Sequence, residues 1–235
     1  MPSFVLNIET TTIQCSVALS ADGKVLALAK SNPSNYQHAH LLHTYIDQVL
    51  SDHDLSLSAL SAVALSSGPG SYTGLRIGAA AAKGLCFGND IPLLSIPTLD
   101  ILAREISPSE GYIIATLDAR RDEVYYAVYK HDYKVIQKAT PHVLTGNSFS
   151  EWTEKGPVYF VGTGLEKCEE IMNDITQCIF PPASSYPSAE HMVVQSQKRF
   201  ENELFEDLAY FDVDYLKAFQ VTPPKKNALG QQLIR

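Results

Sequence analysis

The sequence has little of what several protein classes require. Its 18 lysines and arginines are outnumbered by 26 acidic residues, a formal net charge of −8, so it lacks the basic surface of a free-standing nucleic-acid binder. No run approaches the roughly 20 apolar residues that cross a bilayer, and the first residues show no signal peptide, so we expect no membrane association. The four cysteines form no Cys-x-x-Cys pair, which favours reduced thiols and a cytoplasmic location over a disulfide framework.

A complete catalytic motif is also missing. The chain contains no His-x-x-x-His pair, no His-Glu-x-x-His motif and no Gly-x-Ser-x-Gly elbow. Three histidines do cluster, at His38, His40 and His43, but no acid or cysteine joins them in a pattern typical of a metal site. The sequence therefore predicts a chain that holds no metal.

What is present is an ordinary globular composition with an internal repeat. The 235 residues are 45% hydrophobic and 19% charged, which excludes general disorder. An order of three strands, a helix, a strand, a glycine turn and a helix is predicted twice, and the acids that end the two first strands, Glu9 and Asp118, lie 109 residues apart. The repeat predicts two similar α/β lobes around a cleft. Their expected bounds are 1–107 and 108–221, with some of the last helices packing back on the first lobe, and 222–235 forming a mobile tail.

The spacing of hydrophobic residues along the sequence predicts where the helices lie. Apolar residues recur at three- and four-residue steps in several segments. We expect helices near 41–50, 73–87, 99–106, 149–154, 165–175 and 189–207.

The most specific motif is a glycine-rich string between a strand and a helix. It reads Gly-Pro-Gly-Ser-Tyr-Thr-Gly-Leu-Arg-Ile-Gly over 68–78 and matches neither a Walker loop nor the dinucleotide fingerprint. Such a turn can offer free amides to an anion, or it can pack a helix closely on another backbone. Small residues at Gly78, Ala79, Ala82 and Gly84 favour a helix–helix interface.

Polar residues at the two predicted strand ends are candidate ligand contacts. A carboxylate and hydroxyls at Glu9, Thr10 and Thr11 suit a hydrated Mg²⁺ or nucleotide phosphates, or they cap a turn. Asp118 and Arg120 occupy the matching turn of the second lobe, where charges clamp an anion or are simply solvated. The full set of candidate nucleotide or anion contacts is Glu9, Thr10, Thr11, Gly68, Gly70, Ser71, Asp118 and Arg120.

These segments together resemble the TsaB (YeaZ) family, which is glycoprotease-like and paralogous to TsaD. The matching segments are 7–11, 15–19, 40–47, 68–78, 83–85, 118–125 and 215–217. The resemblance covers most of the chain and is thin between about 140 and 210. It implies an actin-like (ASKHA, ribonuclease H-like) duplicated two-lobe α/β fold, with mixed sheets flanked by helices.

The resemblance also implies a function in forming N6-threonylcarbamoyladenosine in tRNA. It implies a non-catalytic scaffold and activator that heterodimerises with the catalytic subunit TsaD, works with the ATPase TsaE, and meets tRNA only through that complex. The implied chain binds no cofactor alone, with ATP or ADP and Mg entering within the complex, and forms a homodimer when isolated. TsaD carries a His-x-x-x-His metal pair, which this sequence lacks.

In the family the partner surface is made by the first two helices, which favours packing over phosphate binding at the glycine turn. Carried onto this sequence, the implied interface residues are His40, Leu41, Tyr45, Tyr72, Thr73, Leu75, Arg76, Gly78, Ala79 and Ala82. The chain departs from the family at its first turn, where Glu9 stands in a motif that often begins with Asp.

Two other functions remain open on the sequence. Charged residues at the predicted cleft, Glu9, Asp118 and Arg120, are compatible with a self-sufficient ATP-dependent kinase or hydrolase of the same fold. The histidine cluster and the family's older glycoprotease label leave a metallopeptidase as the third alternative.

Overall fold

The first part of the chain folds around a five-stranded mixed sheet. The computed structural model describes residues 2–32, 37–119, 121–181 and 186–216; the predicted tail at 222–235 lies outside them. The strands are β1 (Phe4–Glu9), β2 (Ser16–Ala21), β3 (Lys24–Lys30), β4 (Ala62–Gly68) and β5 (Leu93–Pro97), in the spatial order β3-β2-β1-β4-β5. β1 to β3 are antiparallel, whereas β4 and β5 run parallel to β1. Asp22 and Gly23 both have positive φ in the β2–β3 turn, as the two-residue hairpin predicted from Asp-Gly requires.

Three helices belong to this lobe. They are α1 (His38–Ser51), α2 (Tyr72–Asn89) and α3 (Thr98–Ala103). α1 and α2 cover one face of the sheet, because apolar residues such as Leu42, Ile46 and Leu75 recur on the side that faces the core. The Ser71 hydroxyl caps α2 by accepting a hydrogen bond from the Gly74 amide at 3.3 Å.

A second five-stranded sheet repeats the first. Its strands are β6 (Tyr112–Asp118), β7 (Glu123–Lys130), β8 (Val135–Val143), β9 (Val158–Val161) and β10 (Cys178–Ile179), in the order β10-β9-β6-β7-β8. Again three antiparallel strands are followed by two parallel ones. The helices are α4 (Ser150–Thr153) and α5 (Leu165–Met172). The structure thus confirms the duplicated two-lobe α/β fold with mixed sheets flanked by helices.

The end of the described chain returns to the first lobe. A 3-10 turn (Ala189–Met192) and α6 (Val193–Glu201) pack on the face of the first sheet opposite to α1 and α2. The helix predicted to reach residue 207 ends at Glu201, because Glu203 takes a left-handed conformation that helices do not continue through. The following residues, 203–216, form an irregular C-terminal strap along the first lobe, with a turn at 208–210.

The strap is held by backbone hydrogen bonds and by apolar packing. The Glu206 amide donates to the Leu93 carbonyl at 2.9 Å, and the Asp214 amide donates to the Ser67 carbonyl at 2.7 Å. Val213 is buried in the core of the first lobe, in the cluster to which α1 and α2 also contribute. The strap therefore completes the first lobe, although it follows the second lobe in sequence.

All four cysteines are free, and three of them are buried. Burial raises the pKa of the thiols of Cys15 and Cys168 to about 12 and that of Cys86 to about 11. Thiols with such pKa values are poor nucleophiles near neutral pH. Among the described residues, no helix has the length and apolar character that crossing a bilayer requires.

Candidate functional site

The candidate site lies at the carboxyl ends of β1 and β4. These strands are parallel neighbours, with Ile8 paired to Leu65, so Glu9 lies beside Ser66 and close to the glycine-rich turn. α2 begins directly after that turn, at Tyr72. The fold therefore brings together the two motifs of the first lobe that the sequence singles out.

Glu9 is fully buried and faces inward. One carboxylate oxygen accepts hydrogen bonds from the Thr11 amide at 2.5 Å and the Thr11 hydroxyl at 2.6 Å. The other oxygen is buried without a hydrogen-bond partner among the described residues. Burial raises the pKa of Glu9 to about 7, an effect that the two hydrogen bonds from Thr11 only partly offset. The carboxyl is therefore closed off from solvent, unlike one that binds hydrated Mg²⁺.

The glycines of the string are explained by close packing on the β1 turn. The Thr10 hydroxyl donates to the Gly74 carbonyl at 2.8 Å, and the Ser71 amide donates to the Thr11 carbonyl at 2.6 Å. A Cβ added at Gly70 or Gly74 would collide with the backbone of Thr11 or Thr10. The Ser71 amide is thus already used within the lobe.

A shallow depression of about 470 Å³ opens between the first turns of α1 and α2. His38, Ser71 and Thr73 contribute to its lining. The His38 ring is buried, and its Nε2 lies 2.7 Å from the Thr12 carbonyl oxygen, whereas His40 and His43 are exposed. Over the described part of the chain, no three His, Cys, Asp or Glu side chains are grouped so that they could hold a metal ion.

The two helices present a mixed surface next to this depression. Of the predicted interface residues, four are exposed: His40, Tyr72, Thr73 and Arg76. Three are half-buried: Leu41, Tyr45 and Ala79. The Arg76 guanidinium lies 4.4 Å from the centre of the Tyr72 ring, and its Nε donates to the Tyr215 hydroxyl at 3.3 Å. The strap therefore reaches the edge of this surface.

Three predicted interface residues point the other way, into the lobe. Leu75 and Ala82 are completely buried, and a Cβ added at Gly78 would collide with the Thr10 hydroxyl. The expectation that Gly78 and Ala82 admit a second helix is therefore corrected, since both pack on the sheet of their own lobe. Gly84 does face outward, and a Cβ there would meet no atom within 4 Å.

The outward stripe of α2 follows a different set of positions. They are spaced at three and four residues, as one face of a helix requires. The stripe consists of Thr73, Ile77, Ala80, Gly84 and Phe87. Phe87 is 82% exposed, which is unusual for a large aromatic side chain. The sequence-based prediction includes Thr73 and Gly84 of this stripe but not Ile77, Ala80 or Phe87.

The matching turn of the second lobe has a different environment. The Asp118 side chain is 46% exposed and pairs with the Lys167 ammonium at 2.8 Å. The Asp118 amide donates to the Thr163 hydroxyl at 3.0 Å. Arg120, the other candidate of this turn, lies outside the described residues. Glu9 and Asp118 therefore hold equivalent positions in the two sheets but do not share a chemical role.

Comparisons with known proteins show what the chain is related to. Residues 32–223 match the family model described as "TsaD: tRNA N6-adenosine threonylcarbamoyltransferase". The protein named "tRNA threonylcarbamoyladenosine biosynthesis protein TsaB" from Escherichia coli (strain K12) is 32% identical over 195 residues, which are 80% of this chain and 84% of the relative. The chain belongs to the TsaB family. The Bacillus subtilis (strain 168) protein of the same name is 29% identical over 178 residues, 73% of this chain and 76% of that one.

Solved structures of the TsaB family have the same fold. "YeaZ from Pseudomonas aeruginosa" superposes with a TM-score of 0.75 at 26% identity and covers 91% of this chain and 100% of its own. A second Pseudomonas aeruginosa structure, of a protein "with similarity to peptidase YEAZ", gives a TM-score of 0.76 at 27% identity over 92% and 100%. The likeness therefore extends through the region where the sequence resemblance was thin.

The strap is the feature of this TsaB-family chain that sequence reasoning missed. Its segment 207–216 has no helical or strand periodicity, and its role depends on contacts with residues far away in sequence. The Lys83 ammonium donates to the Phe211 carbonyl at 3.0 Å, and the Tyr215 ring contacts the Tyr72 ring at a tilt of 40°, with ring centres 5.1 Å apart. The one available signal was the Tyr-Leu-Lys motif at 215–217, of which Lys217 lies outside the described residues.

Proposed function

We propose that the chain is a non-catalytic subunit of the machinery that forms N6-threonylcarbamoyladenosine in tRNA. It pairs with a TsaD-type catalytic subunit and activates it, and a TsaE-type ATPase works with the pair. The names of the TsaB relatives and the match to the TsaD family model support this process. With a net charge of −8, the chain meets tRNA only through the complex, whose other subunits supply the basic surface.

The observation that carries the non-catalytic assignment is the closed environment of Glu9. A catalytic carboxylate must reach a substrate, a water or a metal ion. Here one Glu9 oxygen is held by Thr11 at 2.5 and 2.6 Å, and the whole side chain is 0% exposed. The site at the end of β1 thus serves the packing of α2 and leaves the chemistry to the partner.

The positions of the histidines also support a non-catalytic role for this chain. None of the seven histidines in the sequence forms a His-x-x-x-His pair. His38, which could have joined His40 and His43, is directed instead to the Thr12 carbonyl. A metallopeptidase or a metal-dependent transferase would need a ligand set that these residues do not provide.

The partner surface that we propose consists of the exposed part of α1 and the outward stripe of α2. Ala80 and Gly84 have no bulky side chain, so a helix of the partner can approach closely at the centre of the stripe. Phe87, at one end, and the Tyr72–Arg76 pair, at the other, are the residue types that most often anchor interfaces. The isolated chain uses the same surface to form a homodimer.

Reconstitution tests the proposal. A purified TsaD-type subunit, a TsaE-type ATPase, threonylcarbamoyl-adenylate and tRNA are combined with and without this chain, and modified adenosine is measured by mass spectrometry. We expect faster product formation when the chain is present. Equal rates with and without it would contradict the proposal.

A calorimetric titration separates the proposal from the self-sufficient enzyme. The isolated chain is titrated with Mg·ATP, and we expect no heat of binding, because Glu9 and the Ser71 amide are already engaged within the lobe. Binding at micromolar concentration, together with ATP hydrolysis by the chain alone, would favour the ATP-dependent kinase or hydrolase instead.

A further inference from the structure

The connection between the two lobes is a helix that belongs to both cores. All six residues of α3 are buried. Ile101 packs in the core on the far face of the first sheet, whereas Leu99 and Leu102 pack in the core of the second lobe. A Cβ added at Gly162, in the second lobe's glycine turn, would press on the Leu102 side chain. α3 thus contributes buried side chains to the cores of both lobes.

α3 also carries a buried carboxylate. Asp100 is 7% exposed, and it accepts a hydrogen bond at 2.7 Å from the Gln195 amide group on α6. It also forms an ion pair with Arg104, whose Nε lies 3.6 Å away. A buried charge is tolerated only where such partners are held in place, because no water replaces them. Gln195 is available only while α6 and α3 keep their present arrangement, whereas Arg104 lies four residues after Asp100 at the end of α3 itself.

Arg104 extends this series of contacts into the second lobe. Its guanidinium lies 4.5 Å from the centre of the Tyr133 ring, in the turn between β7 and β8. The Tyr133 hydroxyl donates to the Ile106 carbonyl at 3.0 Å. The contacts therefore run without interruption from α6, on the first lobe, through Asp100 and Arg104 to the second lobe's hairpin.

A hinge between domains normally has the opposite properties. It consists of a few loosely packed residues whose backbone dihedrals can change without loss of contacts. Motion of the second lobe relative to α3 would separate Arg104 from Tyr133, and motion of the first lobe relative to α3 would separate Asp100 from Gln195. Either motion would open an apolar core. Each of these losses of contact costs free energy, so the contacts oppose relative motion of the lobes.

We propose that Asp100 and Arg104 are positioning residues that hold the two lobes at one angle, so that the chain acts on its partner as a single rigid body. The second half of this statement rests on the proposed function. A partner that binds α1 and α2 contacts the first lobe, and it can respond to the second lobe only if the angle between them is maintained. Asp100 and Arg104 act through Tyr133 and Gln195 and contact no substrate.

The rigidity is tested by distance measurements on the full chain. Spin labels are placed on cysteines introduced at the exposed positions Ser58 and Gly146, one in each lobe, in a Cys178→Ser background. We expect a single narrow distance distribution, which broadens in Arg104→Met and in Tyr133→Leu and narrows again in Arg104→Lys, which keeps the ion pair. Arg199→Met is the matched control, because Arg199 and Glu206 form a half-buried pair, at 3.1 Å, within the first lobe.

Two results would overturn the rigid-body proposal. One is a broad distribution in the unmodified chain. The other is an unchanged narrow distribution in both Arg104→Met and Tyr133→Leu, with circular dichroism showing that they are folded. If Arg104→Met does not fold, Tyr133→Leu alone decides, since it removes one ring and leaves the buried ion pair intact.

The link to activation is tested in the reconstituted reaction. We expect Arg104→Met to lower the maximal stimulation by about threefold or more, while the chain concentration that gives half-maximal stimulation changes less than about twofold. Arg104→Lys should recover the maximum, and Arg199→Met should leave it unchanged. Unaltered maximal stimulation by Arg104→Met would refute the link. If the unmodified chain gives no stimulation, the proposed function is wrong. The distance measurements then still decide whether the two lobes are held at one angle.

Discussion

At the scale of single residues, equivalent positions in the two lobes differ in their chemistry. Glu9 and Asp118 each end the first strand of a lobe, yet Glu9 is buried with a pKa of about 7 and Asp118 pairs with Lys167 near the surface. A second buried acid, Glu105, has its pKa raised to about 8 by burial and by nearby Glu190, with Lys30 acting in the opposite direction. Neither shift could be predicted from the sequence, because both depend on what packs around the carboxyl group.

The two buried acids predict a loss of stability at alkaline pH. Their folded-state pKa values lie above the ordinary value of 4.5, so the folded chain binds these protons more tightly than the unfolded chain. Their contribution to stability is therefore complete below about pH 4.5 and is lost as the pH rises through 7 and 8. We expect Glu9→Gln and Glu105→Gln each to remove part of this loss, which between pH 5 and pH 9 is at most about 3 kcal/mol for Glu9 and about 4 kcal/mol for Glu105.

Urea unfolding at a series of pH values measures this effect. The matched control is Glu110→Gln, which changes an exposed acid close to Glu105 in sequence. Parallel pH profiles for all three variants and the unmodified chain would show that the two acids are ionised in the fold.

At the scale of elements, small residues serve different purposes on the two faces of α2. On its inner face, Gly74 and Gly78 let the helix lie directly on Thr10, and on its outer face Gly84 has open space. The sequence correctly predicted a strand, a glycine turn and a helix here, because those signals are local. It could not show which side of α2 meets the sheet, since that depends on where β1 and β4 lie.

Alanine substitutions on the two faces of α2 should have opposite effects. Gly74→Ala introduces a methyl group against the Thr10 carbonyl and should destabilise the chain by about 1–3 kcal/mol or more. Gly84→Ala meets no atom within 4 Å and removes a flexible residue from a helix, so it should stabilise by about 0.5–1 kcal/mol. Chemical denaturation compares them directly. Equal effects would mean that the packing of α2 on the β1 turn is wrong.

The strap predicts a second matched pair. Val213 is 5% exposed in the core of the first lobe, whereas Tyr210 is 87% exposed in the same segment. Val213→Ala should cost about 2 kcal/mol, through lost apolar burial and the cavity left behind, and Tyr210→Ala should cost nearly nothing. Thermal unfolding with limited proteolysis measures both. A larger effect at Tyr210 would show that the strap does not dock as described.

At the scale of the whole molecule, the assembly surface that we propose and the connection between the lobes lie in different places. The surface, along α1 and the outward stripe of α2, belongs to the first lobe. The connection, α3, belongs to both cores. Assembly and lobe position can therefore be altered by separate substitutions.

A bulky charge on the stripe should prevent assembly while leaving the fold intact. Ala80→Arg places a long side chain at an exposed helix position, so we expect the isolated chain to become monomeric and its affinity for a TsaD-type subunit to fall by about tenfold or more. Sedimentation velocity and co-purification measure the two effects. Val194→Arg, at an exposed position of α6, is the control. Substitutions at Gly78 or Ala82 cannot serve, because both residues are part of the lobe's own packing. A dimer that persists in Ala80→Arg would place the interface elsewhere.

The sequence by itself determined the element order, the duplication and the family. Periodicity, turn residues and the 68–78 string are local in the chain, so they survive without knowledge of the fold. Only the tertiary structure decided that Glu9 is buried, that Ala80 and Gly84 rather than Gly78 and Ala82 face outward, and that residues 203–216 form a strap along the first lobe. The physical reason is common to all three. Burial, pKa and the outward face of a helix are set by neighbours distant in sequence, and those neighbours are specified only when the two sheets and the helices between them have packed.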